Sequence, residues 1–208
     1  MDRQLLGEEL IPVPPPGEPT TFDVECRQKG NAWLSANPKP PRLAKTKIPS
    51  YWGPYTDELR TGFNGLCGYA AMLCPSEGTV DHFISVKTDE AKAYDWKNYR
   101  FASSVWNNIK RRKDDRVLDP FEVQAGWFEI SLPDLQLGLS SSVPAHMITK
   151  AKFTLTKMKL RDDERIIRWR KAWYDRYQAG TIGLEALRSF APLIAEAVDR
   201  RIAAGAPR

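Results

Sequence analysis

The spacing of hydrophobic and polar positions along the chain predicts a mixture of short helices and strands. Apolar residues recur with helical periodicity over residues 22–34, 55–63 and 102–113. A turn at residues 76–78 precedes a β-prone run, which predicts a strand over residues 79–84. Helices and strands interspersed in this way predict the α+β fold class.

The second half of the chain is predicted to begin with strands and to end with helices. Residues 117–135 are interpreted as two strands, and the Ser and Gly-rich residues 137–145 as a loop. Residues from about 150 to 204 have helical periodicity, with a break at Gly180. The apolar residues on the two helical stripes are Ile166, Trp169, Trp173, Tyr177, Leu184, Leu187, Ile194, Val198 and Ile202.

Residues 1–21 are predicted to form an extended arm, and residues 22–208 a single domain. The arm contains a proline-rich run at residues 11–19, and proline lacks an amide donor and favours polyproline II. Such an arm either stays loosely ordered or crosses another subunit. The first ten residues lack a basic start followed by an apolar run, so we expect no signal peptide. No stretch approaches the roughly 18 apolar residues of a membrane span, so we expect a soluble cytoplasmic protein.

The charge of the chain indicates the class of its binding partner, and its cysteine content indicates the redox compartment of the cell. A net charge of +5 and a pI near 9.1 favour a polyanionic partner. The basic residues cluster at Lys87 and in the run Lys110, Arg111, Arg112 and Lys113, which either contacts nucleic acid or is a solvated face. A second basic loop lies at residues 37–49. Three cysteines make an odd count, which favours a reducing compartment, and Cys67 and Cys74 are interpreted as buried apolar residues.

One stretch carries candidate chemistry for breaking a phosphodiester bond. Asp81 and His82 place a carboxylate beside an imidazole, and the alternation of side chains in a strand turns them to opposite faces. Asn107 on the following helix supplies a second oxygen, and two hard oxygen ligands with open positions favour Mg²⁺ or Mn²⁺ over zinc. A base needs its far ring nitrogen held, which either Asn98 or a backbone carbonyl of its loop provides. The other histidine, His146, has no carboxylate neighbour and is interpreted as incidental.

The order and spacing of these residues resemble the HNH or ββα-metal nucleases, also called His-Me finger nucleases. The segment Asn107-Asn108-Ile109-Lys110 resembles the helix of that family, and the resemblance covers about residues 63–113. It implies a ββα-metal core with additional N- and C-terminal helices. It further implies that Asp81 and Asn107 are metal ligands, that His82 is the general base and that Asn98 orders the loop.

The chain departs from the family at the structural zinc. Many members carry two Cys-x-x-Cys pairs, whose positions are occupied here by Cys67 with Ala70 and by Ser103 with Trp106. We therefore expect no structural zinc, with Trp106 replacing it by packing. Segments 95–100, 117–121 and 126–128 resemble a subgroup of HNH proteins of bacterial defence loci, including the nuclease subunit of Septu-type anti-phage systems. That likeness implies a role in antiviral defence beside an ATPase partner.

The resemblance and the residues lead to one expected function and one alternative. We expect a hydrolase, an HNH endonuclease that cuts DNA with Mg²⁺ or Mn²⁺, and nothing in the sequence excludes RNA. The nucleic-acid-binding residues are expected to be Lys87, Lys110, Arg111, Arg112 and Lys113. The alternative is a degenerate ββα module that binds nucleic acid or serves as a structural subunit of a larger complex.

Overall fold

Two short helical segments precede the first β-strand of the computed structural model, which describes residues 14–39 and 47–205. A π-helical turn over Asp23–Gln28 continues directly into α1 (Lys29–Ala36), and α2 follows at Thr56–Gly62. Both helices predicted for this part of the chain from its periodicity are confirmed. Residues 1–13 of the arm predicted over residues 1–21 lie outside the described residues. Residues 40–46 of the basic loop also lie outside them.

A β-hairpin followed by a short helix forms the middle of the chain. β1 (Thr79–His82) pairs antiparallel with β2 (Tyr99–Ala102), so that the last residue of β1 lies opposite the first residue of β2. Helix α3 (Ser104–Lys110) begins two residues after β2 ends and packs against β1. The hairpin therefore brings the end of β1 and one face of α3 together, although about 20 residues of chain separate them.

Local hydrogen bonding sets both ends of α3. The hydroxyl of Ser103 accepts from the amide of Trp106 at 3.4 Å, which caps the first turn of the helix. The helix ends at Lys110 because Arg111 adopts a φ of 46°, in the left-handed region. The helix predicted over residues 102–113 is therefore present but shorter at both ends.

The rest of the chain forms a second two-stranded sheet and four helices. β3 (Phe128–Ile130) and β4 (Leu137–Leu139) are antiparallel. The helices are α4 (Ile148–Lys157), α5 (Glu164–Gln178), α6 (Leu184–Phe190) and α7 (Pro192–Ala203). Within the described residues the fold thus combines seven α-helices with two small sheets, and the predicted α+β class is confirmed. None of these described helices combines the length and apolar content of a membrane span.

The prediction of two strands within residues 117–135 is wrong in part. Only β3 forms there, and its partner β4 lies in the segment that was predicted to be a loop. The carboxylate of Asp119 accepts from the amide of Phe121 at 3.1 Å, and the carbonyl of Asp119 accepts from Glu122 at 2.9 Å. These local bonds, together with the missing amide hydrogen of Pro120, favour a turn over a strand.

The C-terminal helices share one hydrophobic core with the hairpin. Buried side chains from Phe22 to Val198 form a continuous cluster. Trp106 on α3 packs against Trp169 on α5, with ring centroids 5.5 Å apart. The second apolar stripe is divided between α6 and α7 because Pro192 starts a new helix. Its last member, Ile202, is exposed.

Candidate functional site

The strand β1 ends with two polar side chains that enter different surroundings. Asp81 is buried on the side of α3, whereas His82 turns toward the loop between the two strands of the hairpin. The divergence follows from the alternation of side chains in a strand. It confirms the predicted separation of the carboxylate from the imidazole.

Two donors hold the carboxylate of Asp81. The hydroxyl of Tyr69 donates to Oδ2 at 2.6 Å, and the ammonium of Lys110 lies 3.1 Å from Oδ2 and 3.2 Å from Oδ1. Burial raises the pKa of the Asp81 carboxyl, while Lys110 and Tyr69 oppose that shift. Because a carboxylate offers about four acceptor positions, Oδ1 retains capacity for a further ligand.

Lys110 does not occupy the position expected of a nucleic-acid-binding residue. Its side chain is completely buried, and besides Asp81 its ammonium donates to the carbonyls of His82 and Phe83, each at 2.7 Å. All three donor positions of the ammonium are therefore used within the protein. The prediction that Lys110 contacts phosphate is wrong, because α3 turns this residue inward against the end of β1.

His82 is held as a neutral base. Its Nε2 lies 2.9 Å from the carbonyl oxygen of Ala93, and because a carbonyl only accepts, Nε2 carries the proton and Nδ1 keeps its lone pair. The rings of Trp52 and Tyr99 pack edge-on against the imidazole at centroid distances of 4.5 and 5.0 Å. Burial, together with the smaller effect of the positive charge of Lys110, lowers the pKa of His82 to about 4, although the hydrogen bond to Ala93 opposes the shift.

The lowered pKa of His82 predicts a specific dependence of stability on pH. An unfolded histidine titrates near 6.5, so the neutral imidazole contributes stability above pH 6.5 that is lost as the pH falls toward 4, amounting to about 3 kcal/mol. The chain has two histidines, so imidazole NMR signals report this directly, with a His146→Gln variant assigning them. A His82 signal that titrates near pH 6.5 would contradict the buried, neutral state.

Asn98 acts on the loop and not on the pocket. Its amide nitrogen donates to the carbonyls of Ile84 and Lys92 at 3.0 and 3.1 Å, and its Oδ1 accepts from the amide of Ile84 at 2.7 Å. These bonds close the loop that carries Ala93. Of the two alternatives left open for holding His82, the backbone carbonyl is the one observed. Asn98 is therefore a positioning residue for the loop, through its hydrogen bonds to Ile84 and Lys92.

Asn107 faces β1 from the first half of α3. Its Nδ2 donates to the hydroxyl of Thr79 at 2.9 Å and to the carbonyl of Val80 at 3.2 Å. Because the Val80 carbonyl only accepts, the amide orientation is fixed and Oδ1 points the other way. No donor among the described residues bonds that oxygen, which leaves it available to a ligand.

Asp81, His82 and Asn107 line the same open pocket, whose volume is about 510 Å³. Exposed basic side chains lie on its rim, namely Lys87, Arg111 and Arg112. None of these three forms an ion pair with a carboxylate of the described residues. Lys113 differs from them, because its ammonium caps α3 by donating to the carbonyls of Ile109 and Lys110. The structure thus brings together six of the predicted site residues at this pocket, whereas Asn98, Lys110 and Lys113 do not line it.

Comparison of the chain with protein-family models, with curated proteins and with solved structures finds no match.

Two of the four positions that correspond to the zinc ligands of HNH nucleases, those of Cys67 and Ser103, are in contact. The thiol of Cys67 accepts from the amide of Ser103 at 3.4 Å, which joins the loop before β1 to the start of α3. Trp106, at the fourth position, is buried against Trp169. Among the described residues no group of three or more histidine, cysteine or acidic side chains is arranged to hold a metal. The Cys67 contact connects the loop before β1 to the start of α3, and the packing of Trp106 on Trp169 connects α3 to α5.

Two residues of the site were not anticipated from the sequence. Tyr69 reaches Asp81 from a loop 12 residues earlier, and Trp52 reaches His82 from 30 residues earlier. Neither residue stands at a recognisable spacing from the Asp-His pair. Their roles depend on how the loops before β1 fold back, which periodicity does not specify.

The donor set fits a hard divalent cation with few protein ligands. Oδ1 of Asp81 and Oδ1 of Asn107 are oxygens with remaining acceptor capacity, and both residues line the pocket. A magnesium ion bound by one carboxylate keeps most of its positions for water and substrate phosphate. The ammonium of Lys110 beside Asp81 opposes such binding, since it neutralises the one negative charge of the pocket.

Proposed function

We propose that this protein is a metal-dependent endonuclease that hydrolyses phosphodiester bonds, with DNA as the favoured substrate. The observation that carries the proposal is the state of His82, whose Nε2 is fixed by Ala93 while Nδ1 keeps a lone pair. A neutral, oriented imidazole beside a pocket that also contains Asp81 and Asn107 is suited to remove a proton from water.

In the proposed reaction His82 takes the proton of the attacking water at Nδ1. The new bond forms between the water oxygen and phosphorus, and the bond from phosphorus to the 3′ oxygen breaks. Mg²⁺ or Mn²⁺, held by Asp81 and Asn107, would stabilise the negative charge on the leaving 3′ oxygen. Lys87, Arg111 and Arg112 bind the flanking phosphates. The leaving 3′ oxygen takes up a proton from solvent, so the products carry a 5′ phosphate and a 3′ hydroxyl.

The likeness to HNH nucleases supports this proposal through the order of the site residues along a hairpin and a helix. A hairpin followed by a helix carries Asp81, His82 and Asn107 in the order that the likeness implies. The contact between Cys67 and Ser103 joins segments that a zinc ion would otherwise join. We propose more specifically that β1, β2 and α3 form a ββα-metal core that lacks the structural zinc.

A role in bacterial defence beside an ATPase partner remains part of the proposal on sequence likeness alone. The residues that carry this likeness include Asp119 and Trp127, which are buried in the described structure. Asp119 pairs with Arg100, so its position has a structural reason of its own. Co-purification of an ATPase with the tagged protein from its native cell would test the partnership.

A second candidate function is favoured by the pairing of Asp81 with Lys110. A carboxylate that is neutralised by a buried ammonium resembles a structural ion pair as much as a metal ligand. A degenerate module would bind nucleic acid through Arg111 and Arg112 without cutting it. Binding without cleavage under every metal condition would favour this alternative.

The nuclease proposal predicts a strict dependence on an added divalent metal. Purified protein should cut plasmid, linear DNA or RNA with Mg²⁺ or Mn²⁺, and cleavage should stop in chelator, because the charge on the leaving oxygen is then unopposed. Elemental analysis of the same preparation should show no stoichiometric zinc. Cleavage that persists in chelator would refute the metal role of Asp81 and Asn107.

The basic rim predicts a salt-dependent contribution to nucleic-acid binding. An Arg111→Ala/Arg112→Ala variant should weaken duplex binding and reduce the slope of log affinity against log salt by about 0.9 per lost phosphate contact. The matched control is Arg165→Ala/Arg168→Ala on α5, which removes the same charge from residues that pair with Asp163 and Glu164. Equal slopes in both double variants would show that the rim is a solvated face.

A further inference from the structure

The pocket that contains Asp81 carries a net positive charge in the free protein. Asp81 is the one carboxylate among the described residues that line it, and Lys110 neutralises that charge from 3.1 Å. Lys87, Arg111 and Arg112 add three positive charges at the rim. A divalent cation that approaches this pocket by itself therefore meets repulsion from four cations and attraction from one anion.

No other carboxylate of the described residues lines the pocket. The two further buried carboxylates of the described residues are Asp114 and Asp119. Asp114 accepts from the amide of Ser85 and the hydroxyl of Thr88 at 2.6 and 2.7 Å, which fastens the loop after β1. Asp119 is engaged in the bidentate pair with Arg100. Neither lines the pocket, so neither supplies a second carboxylate ligand to a cation bound there.

A phosphodiester supplies the missing negative charge. The rim cations attract phosphate, and a bound phosphate brings oxygen ligands of its own next to Oδ1 of Asp81 and Oδ1 of Asn107. With phosphate present, the same pocket has both the charge and the number of oxygens that a hard cation requires. Without phosphate it has two protein oxygens and an excess of positive charge.

We propose that Lys110 sets the order of assembly at this site, so that the divalent cation binds together with the nucleic-acid phosphate and not to the free protein. This inference rests on the proposed function, since it assumes that Asp81 and Asn107 face the cation. Lys110 is a positioning residue here: it fixes Asp81 and the carbonyls at the end of β1, and it prevents the cation from binding before substrate.

The test measures metal binding directly, by titrating Mn²⁺ into the protein and following free Mn²⁺ by electron paramagnetic resonance. Wild-type protein alone should bind Mn²⁺ only weakly. A His82→Ala protein, which should cut about 10² to 10⁴-fold more slowly than the wild type, should bind Mn²⁺ at least about tenfold more tightly once a duplex oligonucleotide is present, because the phosphate charge is then available. Lys110→Met should tighten Mn²⁺ binding to the free protein by about tenfold or more, since it removes the adjacent ammonium.

Because Lys110→Met leaves two buried carbonyls without a donor and can fail to fold, a second variant carries the same test. Arg111→Gln/Arg112→Gln changes exposed residues only and should tighten Mn²⁺ binding to the free protein by roughly threefold while weakening DNA binding. Arg165→Gln/Arg168→Gln on α5 is the matched control and should change neither. The rim variant therefore gives a result even where the buried variant does not.

Two outcomes would overturn the inference. One is tight Mn²⁺ binding to the free wild-type protein that DNA does not improve. The other is unchanged Mn²⁺ binding in every folded variant that lacks a pocket cation. Failure of the nuclease proposal is recognised separately, as coupled binding of Mn²⁺ and DNA without cleavage by the wild-type protein.

Discussion

Replacing His82 by alanine should reduce cleavage by about 10² to 10⁴-fold, the usual scale for loss of a general base. The expected loss follows from geometry, because His82 lines the pocket that contains Asp81 and Asn107, and its Nδ1 keeps a lone pair while Nε2 is held by Ala93. The cleavage rate of supercoiled plasmid at saturating Mg²⁺ is the appropriate measurement. Affinity for DNA should stay close to that of the wild type, since the rim arginines are untouched.

The design needs a check on folding and a matched histidine. His82→Ala leaves a space between Trp52 and Tyr99, so thermal unfolding has to confirm that the variant is folded. His146→Ala is the control, because it removes the other histidine of the chain from a position outside the pocket. A folded His82→Ala protein that cuts at the wild-type rate would end the proposed mechanism.

Replacing Asp119 by alanine should lower the free energy of unfolding by about 3 to 5 kcal/mol. Arg100 and Asp119 form a bidentate pair that is almost completely buried, with Nε to Oδ1 at 2.6 Å. The guanidinium also lies 3.8 Å from the ring centroid of Phe121. The variant leaves Arg100 charged and buried without its partner, which is the costly way to break such a pair.

A loss of this size is large beside the roughly 5 to 15 kcal/mol that usually stabilises a domain, and urea unfolding would measure it. Asp175→Ala is the matched control, because the pair of Lys171 with Asp175 on α5 is exposed and should contribute less than about 1 kcal/mol. Similar losses in the two variants would show that the burial of Arg100 and Asp119 has no energetic consequence.

The local sequence pattern was sufficient to predict how Asp81, His82 and Asn107 are arranged along the hairpin and helix. Asp81 and His82 diverge because side chains alternate in any strand, and Asn107 returns to β1 because a hairpin and a short helix connect them. The positions of the early helices followed from periodicity for the same reason. These features depend on residues that are close in sequence, which a sequence pattern reports directly.

Features that depend on distant contacts were not predictable in this way. The strand β4 was missed because its segment is rich in glycine and serine, and only pairing with β3 makes it extended. The inward position of Lys110 was missed because a basic residue in a basic run predicts exposure. Its burial depends on three acceptors, which belong to Asp81, His82 and Phe83 at the end of β1. The helix brings Lys110 to them only in the folded chain.

The sequence by itself therefore determined the α+β class, the order of Asp81, His82 and Asn107, and the excess of positive charge beside them. Tertiary structure alone decided the states of these groups. It fixed the tautomer of His82 through the Ala93 carbonyl and neutralised Asp81 with Lys110. The physical reason is that protonation and ion pairing depend on burial and on partners within a few ångströms, and neither is encoded at a fixed spacing along the chain.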